Sequence, residues 1–78
     1  MPTVKRFARC RITMYFKDHA PPHFHVITQS DERVSVVIET LAVLAGEANS
    51  RDIDEALEWA KDAANRETLR HLWQDYSE

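Results

Sequence analysis

Hydrophobic and polar residues alternate with a period of two in three stretches of the first half of the chain. In residues 11–16 (RITMYF), Ile12, Met14 and Phe16 fall on one side and Arg11, Thr13 and Tyr15 on the other, as in a half-buried strand. Residues 24–29 and 33–38 repeat the pattern. Phe24 and Val26 face the way of Val34, Val36 and Ile38, while His25, Ile27, Ser35 and Val37 face away. The short polar Ser30-Asp31-Glu32 between them predicts a hairpin. Residues 4–7 are a further strand candidate, placed to pair with the second strand. The intervening Ala8-Arg9-Cys10, however, lacks the Gly or Asn that a two-residue turn with positive φ requires.

From Ser50 the period changes to 3.6. Asn49 or Ser50 can cap a helix, and Asp52, Asp54 and Glu55 suit its positive end. Ile53, Ala56, Leu57, Ala60 and Ala64 form one stripe. Leu69, Leu72, Trp73 and Tyr76 form a second stripe out of phase with the first, which predicts a break near Asn65. The fold class that follows is α+β: an antiparallel sheet of three or four strands, then one or two C-terminal helices covering the Ile12, Phe24 and Val36 face. The expected core is Ile12, Met14, Phe16, Phe24, Val26, Val36, Ile38, Ile53, Leu57, Leu69 and Leu72.

With 78 residues, no repeat and no linker, residues 1–78 are expected to form a single domain. An apolar share of 44% with a net charge of -3 argues for a folded chain rather than a disordered one. No apolar run approaches the roughly 20 residues of a membrane helix and no signal-peptide pattern opens the chain, so a cytosolic protein without membrane association is expected. The single Cys10 reads as a packing residue, and Pro2 as structural rather than as an exposed amine base. Charge is unevenly placed. Residues 1–33 hold six Lys and Arg against three Asp and Glu, whereas residues 34–78 hold four against ten. A basic front and an acidic back suit contact with an anion on one side and another partner on the other. The acidic helical half, with Trp59 or Tyr76 exposed, is the expected contact for a small protein partner.

The densest chemistry lies in Asp18-His19-Ala20-Pro21-Pro22-His23-Phe24-His25-Val26, which holds three of the four histidines and two of the three prolines. Each proline fixes its own φ and restrains the residue before it, so Ala20 to Pro22 is expected to run as a stiff polyproline-like arm. Beyond it, His23, His25 and Ile27 share a strand face, about 7 Å per two residues. Tyr15 and Arg11 belong to the same polar face, with Glu39 near its end if the hairpin register permits.

The nine-residue core, with Met-Pro-Thr-Val at the start, Glu58-Trp59-Ala60 and Trp73, resembles the small bacterial domain-of-unknown-function family 4160, marked by Asp-His-x-Pro-Pro-His-Phe-His-Val. The resemblance spans nearly the whole chain, with departures at Ala8-Arg9, where the family has a glycine-containing turn, and at Ala48-Asn49, where it has Leu-Pro. Members are described as companions of a second small protein in arrangements resembling toxin-antitoxin pairs, so the resemblance implies a nucleic-acid-related role.

Three readings of the motif stand side by side. In the RNA reading, His23 and His25 are a general acid and base, Arg11 or Arg33 holds the phosphate and Tyr15 orients or stacks. In the metal reading, His23 and His25 ligate zinc with His19 or Asp18 as a third group. In the structural reading, Asp18, His19, Pro21 and Pro22 form a rigid corner, with His19 bonded to backbone and Asp18 capping a turn, in a domain that serves protein interaction without catalysis.

Overall fold

The computed structural model describes residues 3–15 and 19–77. Five strands precede two helices: β1 (Thr3–Arg6), β2 (Cys10–Thr13), β3 (His23–Thr28), β4 (Arg33–Val37), β5 (Val43–Gly46), α1 (Ser50–Lys61) and α2 (Ala63–Ser77). The strands lie in one antiparallel sheet in chain order. The α+β class and the C-terminal helices are as expected; the sheet has one strand more than the upper expectation. That strand is β5, all four residues of which are exposed, so it carries no alternation to read.

β1 does pair with β2. The connection needs no glycine because it is not a two-residue turn with positive φ. Phe7 N donates to Cys10 O (2.8 Å), and the loop is pinned from β3 by Gln29 Nε2 on Ala8 O (2.8 Å) and Gln29 N on Arg9 O (3.1 Å). The β3–β4 turn places Asp31 at φ 64°, a conformation that Asp tolerates better than most residues. Thr28 closes the turn by accepting from Asp31 N at its carbonyl (3.0 Å) and from Glu32 N at Oγ1 (3.1 Å). At the end of β5, Gly46 has φ 86°, and a Cβ built there would stand 2.1 Å from Arg33 O, so only glycine fits.

Asn49 caps α1, its Oδ1 accepting from Arg51 N (3.0 Å). The helix break falls at Asp62, three residues before the expected Asn65. Asp62 ends α1 in an extended conformation, and its Oδ2 accepts from Ala64 N (3.1 Å) and Asn65 N (3.2 Å) to start α2. Asp is as good an N-cap as Asn, so both positions offered a start. Asn65 instead donates from Nδ2 to Trp59 O (2.9 Å), a carbonyl at the end of α1 that also accepts from Asp62 N (3.3 Å).

α1 lies over β2 and β3. Ile53, Ala56 and Ala60 of α1 and Leu69 of α2 meet Ile12, Met14, Phe24, Val26, Val36 and Ile38 in one buried cluster. Small alanines on the helix bring it close to the sheet, where Phe24 is wholly buried. Leu57 and Leu72 are partly buried at the margin rather than central. Trp59 and Tyr76, expected to be exposed on the helical half, also pack against the core, Trp59 edge-on to Phe7 at 6.3 Å between ring centres. Phe16, Asp18, Met1 and Pro2 lie outside the described residues.

Candidate functional site

Register fixes what shares the face opposite α1. Arg6 pairs with Arg11, Arg11 with Ile27 and Ile27 with Arg33, so these four form one row across β1 to β4. The next row is Thr13, His25 and Ser35, and the one beyond pairs His23 with Val37. Strand alternation alone therefore sets an arginine row one pleat repeat from His25, about 7 Å along the strands.

The arginines are open to anions. Arg6 and Arg33 are exposed and Arg11 is half-buried. No carboxylate pairs with any of the three among the described residues, whereas Arg9 approaches Asp52 (3.9 Å) and Arg70 binds Glu39 and Glu67. A shallow pocket of about 120 Å³ lies where Arg6, Arg11, Ile27 and Gln29 come together, with Phe7 and Cys10 completing its lining. Cys10 itself is a poor nucleophile: burial pushes its thiol above the ordinary value of 9.0, with Glu55 and Asp52 adding to the rise against a hydrogen bond from the Ala56 backbone.

The two histidines of β3 part ways. His25 is half-buried; its Nδ1 lies 3.3 Å from Ser35 Oγ on the neighbouring strand, and Tyr15 stands edge-on to its ring at 4.4 Å. His23, expected on an exposed polar face, is only 6% exposed. Its ring lies 5.1 Å from that of His25 and 5.1 Å from that of Trp73 on α2. His23 Nδ1 is 2.7 Å from Pro21 O, and since a carbonyl only accepts, the proton sits on Nδ1. Thr13, directly across from His25, buries Oγ1 with no hydrogen-bond partner among the described residues.

The proline segment is a corner. The chain bends at Ala20 and Pro21 instead of running as an extended arm, and the Ala20–Pro21 peptide is cis. His23 supplies a ring bonded to the corner's backbone, and His19 lies exposed. Pro22 O accepts from Ile38 N (3.1 Å), tying the corner to the end of β4. Glu39 does not join the polar face; Arg70 holds it on the helical side. Among the described residues no three His, Cys, Asp or Glu side chains stand close enough to hold a metal ion, and Asp18 is not among them.

Of the expected site residues, then, the sheet places Arg11, Arg33, His25 and His23 on one face in successive rows, with Tyr15 against the His25 ring. Sequence reading missed Arg6, whose place in the row depends on β1 pairing with β2, and Trp73, whose contact with His23 no local pattern signals.

Residues 10–74 match the model of a family described as a domain of unknown function, DUF4160, and the chain belongs to that family. The match runs from β2 through most of α2 and includes every residue of this face named above except Arg6. No curated protein and no solved structure matches the sequence significantly.

Proposed function

We propose that the chain binds single-stranded RNA on the face of the sheet opposite α1. The observation that carries this reading is the row of Arg6, Arg11 and Arg33, without carboxylate partners among the described residues. Two of these guanidiniums line a pocket, and planar guanidinium groups suit phosphate oxygens. His25 and Ser35, one pleat repeat away, with Tyr15 against the His25 ring, supply a ring for stacking and hydrogen-bonding groups for a base edge or a 2′-hydroxyl. The acidic helical half faces away and keeps the net charge negative, which limits indiscriminate binding of nucleic acid.

Binding fits better than cleavage by paired imidazoles. Acid-base catalysis of that kind needs both rings at one phosphate, whereas His23 is buried with its Nδ1 committed to Pro21 O. His23 acts here as a positioning residue for the corner and for His25.

The test is fluorescence anisotropy of a labelled oligouridine across a salt series. Three phosphate contacts on a single strand predict a slope of log K against log salt near roughly -2. The Arg6→Ala/Arg11→Ala protein should lose about 1.4 from that slope, while Arg51→Ala on α1 leaves it unchanged. A matched oligodeoxyuridine separates 2′-hydroxyl readout from phosphate contact alone. Equal losses in the sheet and helix variants, or no salt-dependent binding by the folded protein, would remove the reading.

A further inference from the structure

β5 ends the sheet opposite β1, so one row of its N–H and C=O groups points outward with no strand among the described residues against it. Such edges are usually covered, or armed with charge or proline, to prevent unwanted pairing. β5 lies exposed and carries neither charge nor proline; only its four-residue length and the irregularity in its pairing with β4 blunt it. Its sequence is Val43-Leu44-Ala45-Gly46, with Val43 54% and Leu44 48% exposed. The cause is the placement of the helices. Val43 pairs with core-facing Val36 and so belongs to the helix side of the sheet, but α1 lies over β2 and β3 and stops short of it.

A cleft of about 430 Å³ lies beside this strand, between its end and the start of α1. Its lining is apolar at Val34, Val43, Ala48 and Ile53 and anionic at Glu32 and Glu47. Neither carboxylate has an ion-pair partner among the described residues. An unpaired edge, bare apolar side chains and an anionic cleft thus coincide at one place.

We infer that β5 is the docking strand for an extended segment of another protein in which apolar residues alternate with Lys or Arg. The segment adds a sixth strand through main-chain hydrogen bonds, its apolar side chains cover Val43 and Leu44, and a basic side chain enters the cleft toward Glu32 and Glu47. Charge selects this occupant over a second copy of β5, whose antiparallel pairing would set the Glu32 and Glu47 end against uncharged Leu41 and Ala42, with no cation to meet either carboxylate. The β1 edge of a second copy does carry Lys5 and Arg6. Pairing it with β5 would be head-to-tail, building rings or filaments that grow with concentration rather than a two-fold dimer.

The test uses a fluorescein-labelled octapeptide alternating valine and lysine, its valine-glutamate counterpart, and the ¹⁵N-labelled full chain. The lysine peptide should bind saturably, shift the amide signals of Val43 to Gly46 and weaken with salt; the glutamate peptide should not bind. Glu32→Gln/Glu47→Gln and, separately, Leu44→Ser should each weaken binding about tenfold, while the helix variant Asp54→Asn/Glu58→Gln keeps full affinity. The inference is overturned by any of three results: no saturable binding at about 1 mM lysine peptide, equal weakening in the helix variant, or growth of the chain alone into larger species with concentration. None of these measurements depends on RNA, so the two proposals stand or fall separately.

Discussion

Arg70 on α2 reaches Glu39, 31 residues earlier in the chain, and holds both of its carboxylate oxygens, Nη2 to Oε2 at 3.0 Å and Nε to Oε1. Nη1 of the same guanidinium takes Glu67 at 2.6 Å. One side chain thus ties the start of the β4–β5 turn to the second helix.

The pair makes stability depend on pH in a defined direction. The hydrogen bonds from Arg70 hold the Glu39 carboxyl below its ordinary value of 4.5, outweighing the opposing desolvation. A folded-state pKa below the unfolded one gives stability that is fully present above 4.5 and drains as pH falls from there through the folded value. Thermal melts between neutral pH and acid should show Glu39→Gln losing less stability than the native chain over that interval. Parallel curves would mean that the pair contributes nothing in solution, as is common for exposed ion pairs.

His23 and His25 should separate in a stability assay. His23→Ala removes a buried ring and leaves Pro21 O without its donor, at a cost of about 1–3 kcal/mol. His25→Ala acts on a half-buried side chain and should stay below about 1 kcal/mol. Urea unfolding followed by circular dichroism measures both, and equal losses would show that the buried corner is not what His23 holds.

Phe24 sits at the centre of the sheet's covered face, fully buried between strands and helices. Phe24→Ala should cost about 3–5 kcal/mol, a large share of what a domain of this size has. A loss under about 1 kcal/mol in the same urea assay would place the core elsewhere.

At the junction of the helices, Asp62→Ala removes an acceptor shared by Ala64 N and Asn65 N and should cost about 0.5–2 kcal/mol. Asp62→Asn should recover most of it, since Asn caps equally well. Failure of the rescue would point to charge rather than to the cap.

What sequence reading reached, and what it missed, follows from which information is local. Phe24, Val26 and Val36 announce their buried face through alternation, because each neighbour along the strand is polar or turned away. β5 announces nothing, because an edge strand exposed on both faces has no reason to alternate. The helix break was visible as a phase change but not to the residue, since Asp62 and Asn65 are both good caps. At the site, Arg11, Arg33, His25 and Tyr15 could be grouped from the pleat alone. The burial of His23 could not, for it depends on Trp73 arriving from the far end of the chain.

The sheet's strands neighbour one another in the order in which they are made, and its last strand ends at Gly46, before α1 begins at Ser50. During synthesis, every hairpin can therefore close on a segment that has just left the ribosome, with short loops and little entropic delay. The helices that cover Phe24 and Val36 come last. A nascent chain halted after Gly46 is expected to carry a paired sheet with its apolar face bare, and to need a chaperone or the next thirty or so residues to stay dispersed. Halted chains that resist aggregation unaided would show that the sheet does not assemble ahead of its cover.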